Sequence, residues 1–181
     1  MLFRSADPTV NENMLNEIRT NGSSGALLWS LRTHTKDGGF YYHEDPSNPA
    51  TPCFRWPGFN SASATKEAVK MDQMRMFAYL IQGITAPALP KPEAPSLIAA
   101  SIPSALRWQG AAGAESYIVE RSTDPNGTWT VLSNKATEDA IPYIPFKDPS
   151  AQAGQSYYYR VKAQNTTGVS AASNVIGPLS L

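Results

Sequence analysis

The sequence contains one cysteine, Cys53, among its 181 residues. A single cysteine excludes an intrachain disulfide and makes a cysteine-based zinc site implausible. The formal net charge is zero, because the 15 basic residues (Lys plus Arg) balance the 15 acidic ones (Asp plus Glu). Nothing electrostatic therefore favours nucleic acid or an anionic membrane as a partner. The longest apolar runs, such as Gly25 to Leu31, are far too short to span a bilayer, and the first ten residues lack the apolar core of a signal peptide.

Histidine is equally scarce, which argues against a metal centre. His34 and His43 are the two histidines of the chain, and they are too isolated in the sequence to form a metal site. We therefore expect neither a metal nor a cofactor. Cys53 lies between Pro52 and Phe54 with no nearby partner in the sequence, and we expect it to be a free structural thiol.

A proline-rich stretch divides the chain into two parts. Residues 85–95 contain four prolines interleaved with small residues: Pro87, Pro90, Pro92 and Pro95. Because proline fixes φ and removes the amide donor, neither a helix nor a central strand can continue there. We predict a semi-extended linker between two domains, residues 1–84 and residues 96–181.

The first part alternates helical and strand periodicity. Asp7 and Pro8 have the positions of an N-cap and a first helical residue, and Gly22 suits the end of that helix. The apolar run Gly25 to Leu31 is typical of a strand covered on both faces. A long loop then leads to a second predicted helix, about Ala64 to Gln82. Its apolar stripe consists of Val69, Met76, Phe77, Leu80 and Ile81.

This order of helix, buried strand, long loop and helix belongs to an α/β architecture. Burial of residues 26–29 on both faces needs neighbouring strands, which we do not find in the sequence. A loop of about thirty residues is also unusual unless it has a function. Both observations indicate that the first part is a piece of a larger domain.

Three motifs in the first part occur in a characteristic order: GALLWSLR, DGGFYYHEDP and FRWPGF. In this order they resemble the last strand, last loop and last helix of a TIM-barrel glycoside hydrolase of the family-five type, which contains endo-β-mannanases and cellulases. The resemblance covers roughly Ser5 to Gly83. It implies that the eighth barrel strand ends at Trp29, whose face would carry the sugar next to the scissile bond. Residues 33–59 would then close one side of a cleft at the C-terminal face of the barrel.

The residue types fit a β-linked polysaccharide such as mannan or glucan. A sugar ring presents an apolar face, which aromatic rings can cover. It also presents a rim of hydroxyls that need hydrogen-bonding partners, because an unpaired buried polar group costs about 1–3 kcal/mol. The predicted substrate-binding residues are Trp29, Arg32, His34, Asp37, Tyr41, His43 and Trp56.

Other roles remain open for several of these residues. On its pattern alone Trp29 would be a core residue, and the resemblance makes it a sugar platform. Asp37 precedes two glycines and can equally initiate a tight turn. Phe40 can pack the loop or touch a ligand, and Trp56, which precedes a proline, can be a wedge or a platform.

The resemblance also implies that the catalytic residues are missing from this chain. A retaining glycosidase needs two carboxyl groups about 5–5.5 Å apart. In the family these are glutamates at the ends of the fourth and seventh strands, and both would lie upstream of Met1. We therefore expect no catalysis by this chain alone. The parent enzyme is expected outside the cell or in the periplasm.

The second part carries only strand patterns. Seven short segments separated by turn residues match the number in a small sandwich, and the stretch YYYRVKA alternates between two faces. From about Ala94 to Leu181 this part resembles a fibronectin type III domain, with Tyr157 at the position of the tyrosine corner. Its predicted core residues are Trp108, Ile118, Val131, Tyr159 and Val161.

Such a domain is usually a spacer in multidomain carbohydrate-active enzymes, although its fold does not specify a function. The two resemblances together predict the C-terminal part of a secreted endo-β-1,4-mannanase or cellulase, whose partner would be the missing portion of the barrel. The alternative is a non-catalytic adhesion or spacer protein, whose first half docks on a partner. A third interpretation is a fragment that complements a separately encoded barrel.

The coding DNA upstream of Met1 tests the truncated-barrel interpretation. If it is right, the reading frame stays open for roughly 200 residues and encodes an Asn-Glu pair and a later glutamate at strand ends. Sequencing that region is the measurement. An in-frame stop codon directly before Met1 would contradict the interpretation and favour the non-catalytic alternative.

Overall fold

The computed structural model describes residues 2–3, 7–22, 27–28, 31–40, 54–59, 67–138 and 144–181. The chain divides into two compact units. Unit 1 comprises Met1–Thr33 and Tyr41–Ala88, whereas unit 2 comprises His34–Phe40 and Leu89–Leu181. The loop His34–Phe40 therefore belongs to the same unit as the second half of the chain.

The described part of unit 1 contains two helices and four short strands. These are β1 (Leu2–Phe3), α1 (Pro8–Thr20), β2 (Leu27–Leu28), β3 (Leu31–Arg32), β4 (Phe54–Arg55) and α2 (Glu67–Ile81).

Helix α1 begins at the predicted residue. The side chain of Asp7 accepts a hydrogen bond from the Thr9 amide at 2.9 Å, which satisfies one of the free donors of the first turn. Pro8 occupies the first helical position, where no amide donor is needed. Gly22 follows the helix with a φ of 66°, a left-handed conformation that glycine adopts without steric cost.

The strands of unit 1 pair in parallel. Strand β1 pairs with β2, and helix α1 connects them. A parallel pair needs such a crossover connection, so these three elements form a β–α–β unit. Strand β3 pairs in parallel with β4. The expectation that the sequence lacks neighbours for its apolar run is therefore wrong, because short partner strands lie on both sides of it in the sequence.

Helix α2 presents a different face to unit 1 than its apolar pattern predicts. Its buried residues are Glu67, Lys70 and Met71, and Asn11 of α1 donates to Gln73 Oε1 at 2.8 Å. Four residues of the predicted stripe are instead between 45% and 55% exposed: Val69, Met76, Leu80 and Ile81. The apolar stripe of α2 is thus mostly uncovered by the described residues of this chain.

The predicted linker, residues 85–95, contains neither helix nor strand. Its later residues are held by unit 2. Asn165 Nδ2 donates to the Pro90 carbonyl at 2.7 Å, and Thr167 Oγ1 donates to the Leu89 carbonyl at 2.5 Å. Part of the proline-rich stretch is therefore packed on the sandwich rather than extended in solvent.

Unit 2 is built from antiparallel strands. In chain order these are β5 (Ser96–Ile98), β6 (Arg107–Gln109), β7 (Ser116–Ser122), β8 (Thr130–Ala136), β9 (Tyr157–Asn165), β10 (Gly168–Ala172) and β11 (Ile176–Leu179). One sheet has the order β10–β9–β7–β8, with β11 also paired to β9. Strands β5 and β6 form the other, and next to β6 Leu106 bridges Phe146. The predicted all-β sandwich is confirmed at this level.

The core of unit 2 lies between the two sheets. Trp108 is completely buried and its ring lies 5.4 Å from that of Tyr117. The predicted alternation of β9 is confirmed, because its residues 157, 159, 161 and 163 are all buried. Tyr157 Oη accepts a hydrogen bond from the Gln152 amide at 3.4 Å. A contact from the tyrosine to the backbone a few residues upstream is the one that a tyrosine corner makes.

Two predicted core residues lie elsewhere. In β7 the inward residues are Tyr117 and Val119, which leaves Ile118 half-buried on the opposite face. Val131 is 53% exposed and pairs with Glu120, which alternates with the inward residue Val119 and so lies on the outer face of the sheet.

A buried carboxylate joins strands β7 and β9. Asp148 Oδ2 accepts hydrogen bonds from Arg121 Nη1 at 2.8 Å and from Tyr159 Oη at 2.9 Å. Its Oδ1 accepts from the amide and hydroxyl of Ser150. Burial alone would raise the pKa of Asp148, but the hydrogen bonds from Ser150, Arg121 and Tyr159 outweigh it and hold the pKa below its ordinary value.

We expect Asp148→Asn to lower the free energy of unfolding at pH 7 by about 1–3 kcal/mol, because the partners of a buried carboxylate lose their acceptor. A carboxyl group with a lowered pKa stabilises the folded state above its ordinary pKa of 3.8. This contribution disappears as the pH falls through the pKa of the folded state. Urea unfolding between pH 7 and pH 3 is the measurement.

The wild-type protein should therefore lose more stability on acidification than Asp148→Asn does. The exposed residue Glu115 offers a control, because Glu115→Gln should retain the wild-type pH dependence. Equal loss of stability on acidification in the wild type and in Asp148→Asn would contradict the assignment.

Candidate functional site

The predicted sugar-binding residues are distributed over both units. Three of the seven lie outside the described residues: Trp29, Tyr41 and His43. Arg32 is placed by its backbone, in β3. His34 and Asp37 lie together in the loop of unit 2, and Trp56 follows β4 in unit 1.

The loop His34–Phe40 is a tight hairpin. Its ends form an antiparallel bridge, and the Thr35 amide donates to the Gly39 carbonyl at 2.9 Å. Thr35 Oγ1 donates to the Gly38 carbonyl and accepts from the Asp37 amide. Thr35 is therefore the residue whose side chain closes the turn, and Asp37 lies exposed at its tip.

His34 faces inward within unit 2. Its ring stacks on Phe40, with centroids 4.3 Å apart and planes inclined by 30°. Its Nε2 atom lies 2.9 Å from Glu138 Oε1. Phe40 is buried, so its ring takes part in packing the loop. This is one of the two roles that the sequence leaves open for Phe40.

Glu138 is a buried acid that the sequence analysis did not single out. It is only 1% exposed, and Tyr117 Oη donates to its Oε1 atom at 2.5 Å. Burial, and then the negative charge and hydrogen bond of Glu138, raise the pKa of Tyr117 far above its ordinary value. Glu138 follows β8 in the sequence, and no motif there distinguishes it from an acidic residue on the surface.

The pocket around Glu138 is built for a carboxylate. A Cβ atom added to Gly110 would lie 1.9 Å from Glu138 Oε1, so this position has to be glycine for the carboxylate to occupy its place. The Ala111 amide donates to Tyr117 Oη at 3.2 Å and orients the phenol. The second carboxylate oxygen, Oε2, has no hydrogen-bond partner among the described residues.

In unit 1, Trp56 lies in a segment that Glu67 holds against helix α2. Glu67 is fully buried. Its carboxylate accepts hydrogen bonds from three donors of Arg55, namely the backbone amide, Nε and Nη2. It also accepts from the Phe59 amide at 3.1 Å. A Cβ atom added to Gly58, whose φ is 102°, would lie 2.5 Å from the Cα atom of Ala68. Trp56 itself is half-buried.

Lys70 is a further buried charged residue of unit 1. Its ammonium nitrogen lies 5.5 Å from the centroid of the Phe54 ring, a distance typical of a cation–π contact. Burial lowers the pKa of Lys70, and the negative charge of Asp7 opposes that effect. Because Lys70 is fully buried, it is inaccessible to a substrate.

The outer face of unit 2 offers no free aromatic platform at Trp129. The Arg160 guanidinium lies 4.3 Å above this ring and covers it. Glu120 accepts hydrogen bonds from Arg160 and from Lys162. Burial would raise the pKa of Glu120, but the hydrogen bonds from Lys162 and Arg160 keep it below its ordinary value. Trp129 is therefore engaged in a charged network rather than available to a sugar.

Within the described ranges, no three residues among His, Cys, Asp and Glu come together as a metal-binding group. Neither of the two described helices is long and apolar enough to cross a membrane.

Comparison with solved structures finds similarity over about half of this chain. No family model matches the sequence. A fibronectin type III-like protein from Clostridium thermocellum is 28% identical over 49% of this chain and 90% of its own, with a TM-score of 0.37. The twitchin kinase region from C. elegans is 22% identical over 51% of this chain and 17% of its own, with a TM-score of 0.41.

A structure of titin kinase with its flanking domains is 22% identical over 49% of this chain and 16% of its own, with a TM-score of 0.29. None of these three proteins is described as a glycoside hydrolase. On its own strand pairing, unit 2 is an antiparallel sandwich of the fibronectin type III-like kind. The barrel assignment of the first half rests on the sequence resemblance.

We expect Glu67→Gln to destabilise unit 1 by about 3–5 kcal/mol, because it removes the negative charge of the buried ion pair between Glu67 and Arg55. The amides of Arg55 and Phe59 should then exchange with solvent faster, which hydrogen exchange followed by NMR can measure. Asp72→Asn is the control, since Asp72 lies on the same helix with a side chain that is 69% exposed. Unchanged exchange at both amides in Glu67→Gln would show that Glu67 does not hold this segment.

Proposed function

We propose that this chain is the C-terminal part of a polysaccharide-degrading glycoside hydrolase of the retaining endo-β-1,4-mannanase or cellulase type. The observation that carries the proposal is the β–α–β unit formed by β1, α1 and β2. Parallel strands joined by a helix are the building unit of (β/α)8 barrels. The motif GALLWSLR, residues 25–32, includes β2 and β3, and the motif FRWPGF begins with β4, in the order that the family has.

The exposed apolar stripe of α2 supports the same proposal. Val69, Met76, Leu80 and Ile81 lie on a helix whose buried face contains Glu67 and Lys70. Large exposed apolar surfaces usually mark a contact with another protein surface. In the proposed parent enzyme, the remaining part of the barrel would cover this stripe.

In the proposed cleft, each predicted residue has a distinct role. Trp29 would stack on the sugar next to the scissile bond, and Trp56 would cover a neighbouring ring. Asp37, exposed at the tip of its hairpin, would accept hydrogen bonds from sugar hydroxyls. The remaining predicted contacts to the hydroxyl rim are Arg32, Tyr41 and His43, whereas His34 is turned inward to Glu138. The two catalytic glutamates would be supplied by the upstream part of the barrel, and the parent enzyme would act outside the cell or in the periplasm.

Unit 2 is proposed as a spacer module. Its sandwich has its own closed core, and Trp129 is covered by Arg160, so no aromatic platform at that position suggests direct sugar binding. The same self-contained core favours a second candidate function, a non-catalytic adhesion or spacer protein. In that case unit 1 would dock on a partner through its exposed stripe.

Titration with linear oligosaccharides tests the proposed cleft. We expect β-1,4-linked mannohexaose or cellohexaose to change the tryptophan fluorescence of the chain, because a sugar stacked on Trp29 or Trp56 excludes water from the indole. Trp29→Ala should weaken binding at least tenfold, which corresponds to about 1.4 kcal/mol. Asp37→Ala should weaken it by less, since its hydrogen bonds lie at the solvent-exposed rim.

Trp129→Phe is the matched control, because it removes an indole outside the proposed cleft and should leave the affinity unchanged. Absence of any response to either oligosaccharide, or equal affinity of the wild type and Trp29→Ala, would contradict the proposed function.

A further inference from the structure

We propose that the sandwich of unit 2 is more than a spacer: its buried Glu138 is a positioning residue that anchors His34 and so sets the orientation of the hairpin His34–Phe40. The role of this anchoring in sugar binding rests on the proposed function, because the hairpin carries two of the predicted sugar-binding residues. The anchoring itself is measured without any sugar.

The hairpin has one covered side and one exposed side. Gly38, Gly39 and Phe40 are buried, whereas Lys36 and Asp37 are exposed. The His34 ring stacks on Phe40 and therefore lies on the buried side of the hairpin. Such an arrangement orients the tip outward, with Asp37 three residues from the anchoring contact.

The burial of the Glu138 carboxylate favours its hydrogen bond with His34. A buried carboxylate is costly unless donors compensate its charge. Among the described residues, Glu138 receives one hydrogen bond from Tyr117 Oη and one from His34 Nε2, both at Oε1. Because a carboxylate only accepts, the imidazole has to carry a proton on Nε2. Of the two side-chain donors to Glu138 in the described ranges, the hairpin thus supplies one.

The receiving pocket is preformed by residues of the sandwich. Gly110 leaves the space that the carboxylate occupies, since a Cβ atom there would lie within 2.0 Å of both carboxylate oxygens. Tyr117 is fully buried and is oriented by the Ala111 amide. These contacts to the carboxylate come from the sandwich itself, and in the proposal they position the carboxylate that receives the imidazole.

The imidazole spectrum of the whole chain tests the proposal directly. The chain has two histidines, so two sets of ring signals are expected, and the variant His43→Gln assigns those of His34. In the wild type, 15N-correlated NMR should show His34 as the Nε2–H form, with its ring proton protected from exchange with water. In Glu138→Ala this protection should disappear, and the Thr35 amide, which closes the hairpin, should exchange at least tenfold faster.

Matched variants separate anchoring from general stability. Glu120 is also a buried acid of unit 2 that pairs with two cations, so Glu120→Ala destabilises the same sandwich but should leave the His34 spectrum unchanged. Glu138→Gln keeps one acceptor oxygen and should restore part of the protection. If Glu138→Ala does not fold, His34→Ala removes the contact from the hairpin side. It should likewise accelerate exchange at Thr35 while the β9 amides remain protected.

The outcomes distinguish the two proposals. If Thr35 exchange and the His34 spectrum are the same in the wild type and Glu138→Ala, or if Glu120→Ala changes them equally, the anchoring proposal is overturned. If they change as expected while no oligosaccharide binds, the anchoring stands and the proposed function fails. If oligosaccharides bind and Glu138→Gln weakens binding less than Glu138→Ala, both proposals are supported.

Discussion

Buried carboxylates have to be matched by hydrogen-bond donors, and in this chain that constraint connects segments that are distant in sequence. The structure describes four buried acidic residues: Glu67, Glu120, Glu138 and Asp148. Glu67 holds the segment after β4 against helix α2, and Asp148 joins β7 to β9 through Arg121 and Tyr159. Each acid would be strongly destabilising without its donors. The donors therefore specify which loops and strands come together, while the apolar residues supply the area that stabilises them.

Features governed by local rules could be predicted from the sequence. The start of α1 depends on Asp7 and Pro8, which satisfy or avoid free amides within a single turn. The alternation of β9 depends on the two-residue period of a strand, and its buried residues are those that the pattern predicts. The proline-rich stretch contains no helix or strand for an equally local reason, because proline lacks the amide donor.

Features that depend on tertiary partners were missed. Glu138 resembles a surface acid in the sequence, and only the fold shows that Gly110, Tyr117 and His34 surround it. The apolar stripe of α2 predicts a buried face, yet the residues that would cover it are not among those described. Val131 is exposed because it pairs with Glu120 on the outer face of the sheet. In the candidate site, the sequence could indicate a tight turn at Asp37 but not the residue that holds the hairpin.

The central position of β9 has a consequence for how the sandwich folds. Strand β9 pairs with β10 across a short turn, but it also pairs with β7, where Glu120 lies opposite Arg160. The first contact is local in sequence, whereas the second closes a loop of some forty residues, and the entropy of that closure has to be overcome before the pairing stabilises anything. Folding rates fall as contacts become less local. We therefore expect the β9–β10 hairpin to form before β7 pairs with β9, and that second pairing to complete the sheet.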